Sequence, residues 1–128
     1  MALLMKQTRV GAKLIEKAGP IVETKLSDTY ISLFLLAVCC GLLMYIAVAT
    51  FKKEPNILGT IAVFLCVSVF ILAGFEHCIA NMFYFGLVST PTEYAVPLLI
   101  MILGNSTGGI LLCKLTKHVQ IQKNSENA

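Results

Sequence analysis

The sequence predicts an all-α membrane protein with three transmembrane helices, the second broken near a polar motif. Three observations predict it. Hydrophobic residues make up 57% of the 128 residues and charged residues 13%, against roughly 45–50% and 25% in an ordinary soluble domain. Apart from Glu76 and Lys114, the charges fall outside three long apolar runs, at about 30–51, 57–85 and 94–115. The middle run carries Glu76-His77 inside the stretch Gly74-Phe75-Glu76-His77-Cys78-Ile79-Ala80-Asn81-Met82-Phe83, where hydrocarbon is expected.

Three segments follow from this pattern. Residues 1–27 form an amphipathic, interfacial N-terminal segment, 28–117 the three-span unit, and 118–128 a polar C-terminal tail. In the first, Lys6, Arg9, Lys13, Lys17 and Lys25 interleave with Val10, Leu14, Ile15 and Ile21. The spacing from Thr8 to Ala18 predicts a short amphipathic helix, ended by Gly19-Pro20 and lying at the membrane surface. No apolar run before Tyr30 is long enough for a signal peptide.

The first span, Tyr30 to Phe51, is uncharged throughout, and some twenty such residues cross about 30 Å of hydrocarbon. Lys52-Lys53-Glu54-Pro55-Asn56 ends it with two cations and a proline turn. The second span opens at about Ile57. A straight helix from there would carry His77 to the far surface, since twenty residues rise about 30 Å, and would leave Ile79, Met82, Phe83, Phe85 and Leu87 beyond the hydrocarbon. A chain broken near Gly74 keeps both the polar pair and the apolar tail inside. The alternative is an interfacial Glu-His pair at the end of a span, and the apolar tail argues against it. Non-helical backbone at that depth survives only where it is buried in protein or lines a cavity, and a central charge costs roughly 2.5–3.5 kcal/mol on insertion scales. The stretch therefore reads as a pore element. Asn81, four residues after His77, shares its helical face and is expected to bond the loop backbone freed by the break.

Residues 88–93 form a short connection without Lys or Arg. In the third span Gly104 and Gly108 stand four apart, a small-residue face that lets helix backbones approach. Asn105 between them donates and accepts at membrane depth. Positive-inside counting makes the 52–56 loop and the C-terminus cytoplasmic, through Lys52, Lys53, Lys114 and Lys117. The five basic residues of the N-terminal segment then fall outside, against the rule. The five cysteines lie within the apolar runs, Cys113 near the end of the third, and have no zinc-type spacing. They read as small buried hydrophobes. No metal or cofactor is expected, a net charge of +3 asks for no nucleic acid, and no second catalytic cluster supports an enzyme.

Gly74 to Phe83 resembles the signature of the formate/nitrite transporter family, with Cys78 where a serine is common. Gly104-Asn105-Ser106-Thr107-Gly108-Gly109 resembles that family's glycine-flanked asparagine motif. The resemblance covers roughly residues 25–115, the second half of a usual member. It implies one inverted-repeat half of an aquaporin-like channel fold, with the first three helices absent, as if read from an internal methionine of a longer protein. It also implies an inner-membrane, multi-pass location and a homo-pentamer with one pore per subunit. The cargo would be a small anion such as formate, nitrite, lactate or hydrosulfide.

The same resemblance assigns residues. His77 is the proton-relay candidate, with Asn105 beside it. Phe70, seven residues earlier, matches an aromatic constriction, and Met44 falls at a second constriction position, with helix packing as its alternative. Gly41 stands where many members carry an asparagine, so a polar contact is expected to be missing. Lys25 falls where members carry a lysine in the outer vestibule that draws anions in; the alternative is a snorkelling interfacial lysine. Glu76 either braces the loop or pairs with another subunit. The function implied is passage of a small monovalent anion or its conjugate acid, by a fragment of a complete channel. Two alternatives stand beside it: a hydrosulfide-channel member, suggested by Cys78 and the short loops, and a small membrane assembly protein without transport that binds a partner through Gly104 and Gly108.

Overall fold

The computed structural model describes residues 2–126, and among them the regular structure is entirely helical. The elements are α1 (Ala2–Lys6), α2 (Gly11–Leu26), α3 (Tyr30–Lys53), α4 (Ile57–Leu72), α5 (Cys78–Val88) and α6 (Pro91–Glu126). Met1 and residues 127–128, the outer ends of the predicted N-terminal segment and C-terminal tail, lie outside the described residues.

Local chemistry starts and stops these helices. Thr29 is extended and its side chain accepts the Ser32 N–H, capping α3. Asn56 caps α4 by accepting the N–H groups of Leu58 and Gly59 at 2.9 and 3.3 Å. Such side-chain oxygens satisfy donors that have no partner within the helix. Lys52 and Lys53 close α3, where cations favour the negative end of the helix dipole.

α3 and α6 are long and apolar enough to cross a membrane. α4, with 16 residues, and α5, with 11, are not, rising about 24 and 16 Å. The second apolar run is thus two half-length helices, as the break near Gly74 predicts. α3 packs along α6 and also carries α4, while α5 is held among α1, α2 and α6. The core gathers Val22, Leu33, Ala37, Phe85 and Met101. Much of the rest of the apolar surface faces outward, with Phe64 of α4 70% exposed and Ile31 of α3 74% exposed. Helices apolar all round suit a hydrocarbon surround.

One expectation is corrected. Gly19-Pro20 does not end the N-terminal helix, because α2 runs on to Leu26 with Pro20 inside it. An interior proline costs about 3 kcal/mol. Ala18 and Val22, on either side of it and both buried, offset this by packing inward; full burial of a valine alone contributes about 1.5–3 kcal/mol. The apolar face of α2 is covered in part by this chain's own helices, through Ala18 and Val22, while Ile21 stays 41% exposed. The helix that carries the third span runs on beyond Leu115, so the polar tail is helical through residue 126. No Gly or Pro follows Gly109, and Lys, Gln and Glu propagate a helix well.

Candidate functional site

The site is built on the break. α4 stops at Leu72, and Gly74 turns the chain at φ +70°, a conformation that disfavours any residue with a Cβ. Phe75 N–H then donates to Phe70 O at 3.0 Å, and Glu76 N–H reaches across to Leu36 O of α3 at 3.4 Å.

Asn105 of α6 holds the chain from Glu76 to Cys78. Its Nδ2 donates to Glu76 O at 2.7 Å and to Ala37 O of α3 at 2.8 Å, while its Oδ1 accepts Cys78 N–H at 3.0 Å. One side chain therefore bonds the peptides on both sides of His77 and ties them to α3. Its amide acts on the backbone around the histidine, not on the imidazole itself. Backbone groups freed by a helix break need hydrogen-bond partners when they are buried, and this amide supplies them.

Glu76 is 3% exposed. Its Oε2 accepts from Lys25 Nζ of α2 and from Asn81 Nδ2 of α5, both at 2.5 Å. Asn81 Nδ2 also lies 3.1 Å from Met101 Sδ. One expectation changes here. Asn81 bonds the Glu76 carboxylate, not the loop backbone. Lys25, expected as an outward vestibule charge or a snorkelling one, has its side chain 15% exposed and turned onto Glu76. A buried carboxylate without a partner would be far costlier than the ordering of one lysine. Within the chain, the Glu76 carboxylate ties α2 to α5 through these two contacts.

His77 caps α5, its Nδ1 accepting Ala80 N–H at 3.4 Å. Its ring stacks on Phe70, centroids 5.3 Å apart and planes at 30°. His77 also lines two concavities. One, of about 430 Å³ and open, shares Gly41, Met44, Cys78, Asn105 and Ser106. The other, of about 350 Å³, shares Lys25, Phe70, Phe75, Asn81 and Tyr84. Met44 and Phe70 thus line different concavities that have His77 in common.

Gly104 and Gly108 face α3. A Cβ on Gly104 would lie 2.6 Å from Ala37 Cβ, and one on Gly108 would lie 2.2 Å from Val38 O. Gly41 completes the contact from the other helix, since a Cβ there would stand 2.1 Å from Asn105 O. An asparagine at position 41 has no room in this packing, so the glycine marks a close helix approach and not a vacated polar contact. Among the described residues, no three His, Cys, Asp or Glu side chains converge as a metal-binding set. Sequence reasoning missed the carbonyls of Leu36 and Ala37 as partners of the break, and backbone acceptors leave no trace in residue types. It also missed Tyr84 on the wall of the second concavity.

A family model described as formate/nitrite transporter matches residues 1–119. The match takes in the N-terminal segment that the motifs left out. Two curated relatives are each named formate-nitrite transporter. The one from Plasmodium knowlesi (strain H) is 34% identical over 105 residues, covering 74% of this chain and 33% of the relative. The one from Plasmodium vivax is 33% identical over 121 residues, covering 86% of this chain and 39% of the relative. The chain therefore spans little more than a third of the length of the curated relatives it matches. No solved structure matches significantly.

Proposed function

The chain belongs to the formate/nitrite transporter family, and on that premise we propose that it passes a small monovalent anion, or its conjugate acid, across a lipid bilayer. The observation that carries this reading is His77 at the helix break, lining one concavity with Phe70 and another with Met44. A path joining the two runs past an aromatic constriction, the imidazole, and a softer methionine constriction. An anion loses its hydration between such apolar walls at high cost, whereas a neutral acid loses far less. Protonation at or before the constriction solves the problem, and a histidine titrates in the range where that exchange is useful. Asn105 sets the backbone that carries the ring. Lys25 draws anions toward the Phe70 side, tempered by its pairing with Glu76. The cargo is of the formate, nitrite or hydrosulfide class.

In this reading α3, α4 with α5, and α6 make three crossings, the middle pair together rising about 40 Å. The 52–56 loop and the C-terminus face the cytoplasm of an inner membrane. The concavity beside Met44 is open, so the chain supplies one half of a complete pore, and a matching three-helix half supplies the facing wall. The complete protein forms a homo-pentamer with one pore per subunit. The assembly-protein alternative loses its main support, because α3 already covers the Gly104/Gly108 face.

Reconstitution tests the proposal. Residues 1–128 alone are expected to give no formate, nitrite or hydrosulfide flux in proteoliposomes. Joined to a matching N-terminal half, they should give flux that rises as external pH falls, and His77→Phe should abolish the flux or its pH dependence. Strong His77-dependent flux from the short chain alone would overturn the half-pore reading. A joined protein that folds but carries none of the three anions would overturn transport.

A further inference from the structure

His77 has two ring nitrogens, and the fold commits one of them. Nδ1 accepts the Ala80 N–H at the start of α5. A ring nitrogen that accepts carries no hydrogen, so the neutral imidazole here bears its hydrogen on Nε2. That nitrogen lies on the ring edge away from the capped helix end, on a half-buried side chain that lines both concavities. One ring face is covered by Phe70. The flanking peptides are held by Asn105. Turning the ring over to exchange Nδ1 for a carbon edge would keep the stack on Phe70 but would cost the cap.

From this geometry we propose that His77 meets the permeating species through Nε2–H alone, as a fixed hydrogen-bond donor, and takes up a proton at Nδ1 only when the first turn of α5 lets go. The inference deepens the transport reading and rests on it for the identity of the acceptor, a carboxylate or nitrite oxygen or a hydrosulfide sulfur. The proton balance is explicit. A proton from water, or from the conjugate acid of the anion, bonds to the Nδ1 lone pair, and Ala80 N–H loses its acceptor. The imidazolium then carries N–H on both edges, one of them facing the amide donors of α5. Returning a proton from Nε2 to an anion leaves the hydrogen on Nδ1; the starting tautomer returns when Nε2 takes a proton from water and Nδ1 gives its own to water, and the cap then re-forms. Relay and opening of the α5 end are therefore one event.

The groups that bear on this titration are few. Lys25 of α2 and Tyr84 of α5 line the Phe70 side with His77, and Tyr45 of α3 and Cys78 of α5 line the Met44 side. Glu76 precedes the ring in the chain, paired with Lys25. Where α4 and α6 line the same concavities they bring Phe70 and Ile71, and Asn105, Ser106 and Gly109, none of which titrates.

The chain has two histidines, so His118→Gln leaves a single imidazole for nitrogen NMR of the full chain in lipid nanodiscs. At high pH the expected spectrum has an acceptor-type Nδ1 and a hydrogen-bearing Nε2. On acidification, the protection of the Ala80 amide against hydrogen exchange should fall in step with ring protonation. Hydrogen on Nδ1 at high pH, or Ala80 protection indifferent to protonation, overturns the proposal. Two variants add a second readout. His77→Asn offers an oxygen at the capping position and should keep Ala80 protected, while His77→Gln should speed its exchange about fivefold, the loss of a typical cap. Equal protection in the two would also overturn it. None of these readouts needs flux: the expected tautomer in a protein that carries no anion keeps the inference about the ring and removes only the transport reading.

Discussion

Glu76 depends on its neighbours more than any other side chain at the break. Replacing it by Gln leaves the Lys25 ammonium without its counter-ion. Breaking a buried pair costs about 3–5 kcal/mol, and the lysine's 15% exposure puts the expected loss near the lower end. Lys25→Met leaves the carboxylate with Asn81 alone and should cost a similar amount. The double variant should be less destabilised than the sum of the two, and thermal unfolding in detergent measures all three. If the double variant shows the full sum, the pair is not coupled. At Gly74 the demand is conformational: nothing lies within 4 Å of a Cβ built there. Gly74→Ala should therefore lose only the left-handed backbone preference, about 1–2 kcal/mol, with the same assay as the check.

Between elements, the α3–α6 contact decides whether Asn105 reaches the break. A Cβ at Gly41 or Gly108 would meet a backbone oxygen at 2.1 or 2.2 Å, and a backbone oxygen cannot swing aside as a flexible side chain can. Gly41→Ala and Gly108→Ala are each expected to cost about 1–3 kcal/mol as overpacking. Both should also loosen the Asn105 bonds by shifting α6. Gly109→Ala is the control, since its nearest atom is Gly41 O at 3.8 Å, an ordinary contact. It should be neutral or stabilising by about 0.5–1 kcal/mol, the usual gain of Ala over Gly in a helix interior. Equal losses at 108 and 109 in an unfolding assay would remove the close-packing account.

For the whole molecule, the proposed topology sets sides. A cysteine-accessibility or reporter map should find residue 54 and the C-terminus in the cytoplasm and residues 89–92 outside. Residues 54 and 91 on one side would remove the reading in which α4 and α5 share a crossing. Apolar exposure points to the same surround, with Leu72 87% exposed and Leu58 61%. Contiguous apolar surface of that kind is a liability in water and ordinary in lipid.

Composition and spacing alone determined the helical class, the start of α3, the break near Gly74 and the small-residue face of α6, while the family rested on the resemblance of two motifs to known members. Each rests on residue types at fixed separations along the chain, and separations survive without coordinates. Only tertiary structure decided where polar groups find partners. Lys25 and Glu76 are far apart in sequence, and no pattern says that the lysine turns inward. Asn105 bonds carbonyl and amide groups, which every residue carries and no sequence marks. The full length of α2 was illegible for the same reason: the local cost of Pro20 is visible in the chain, while the burial of Ala18 and Val22 that offsets it exists only once the helices are packed together.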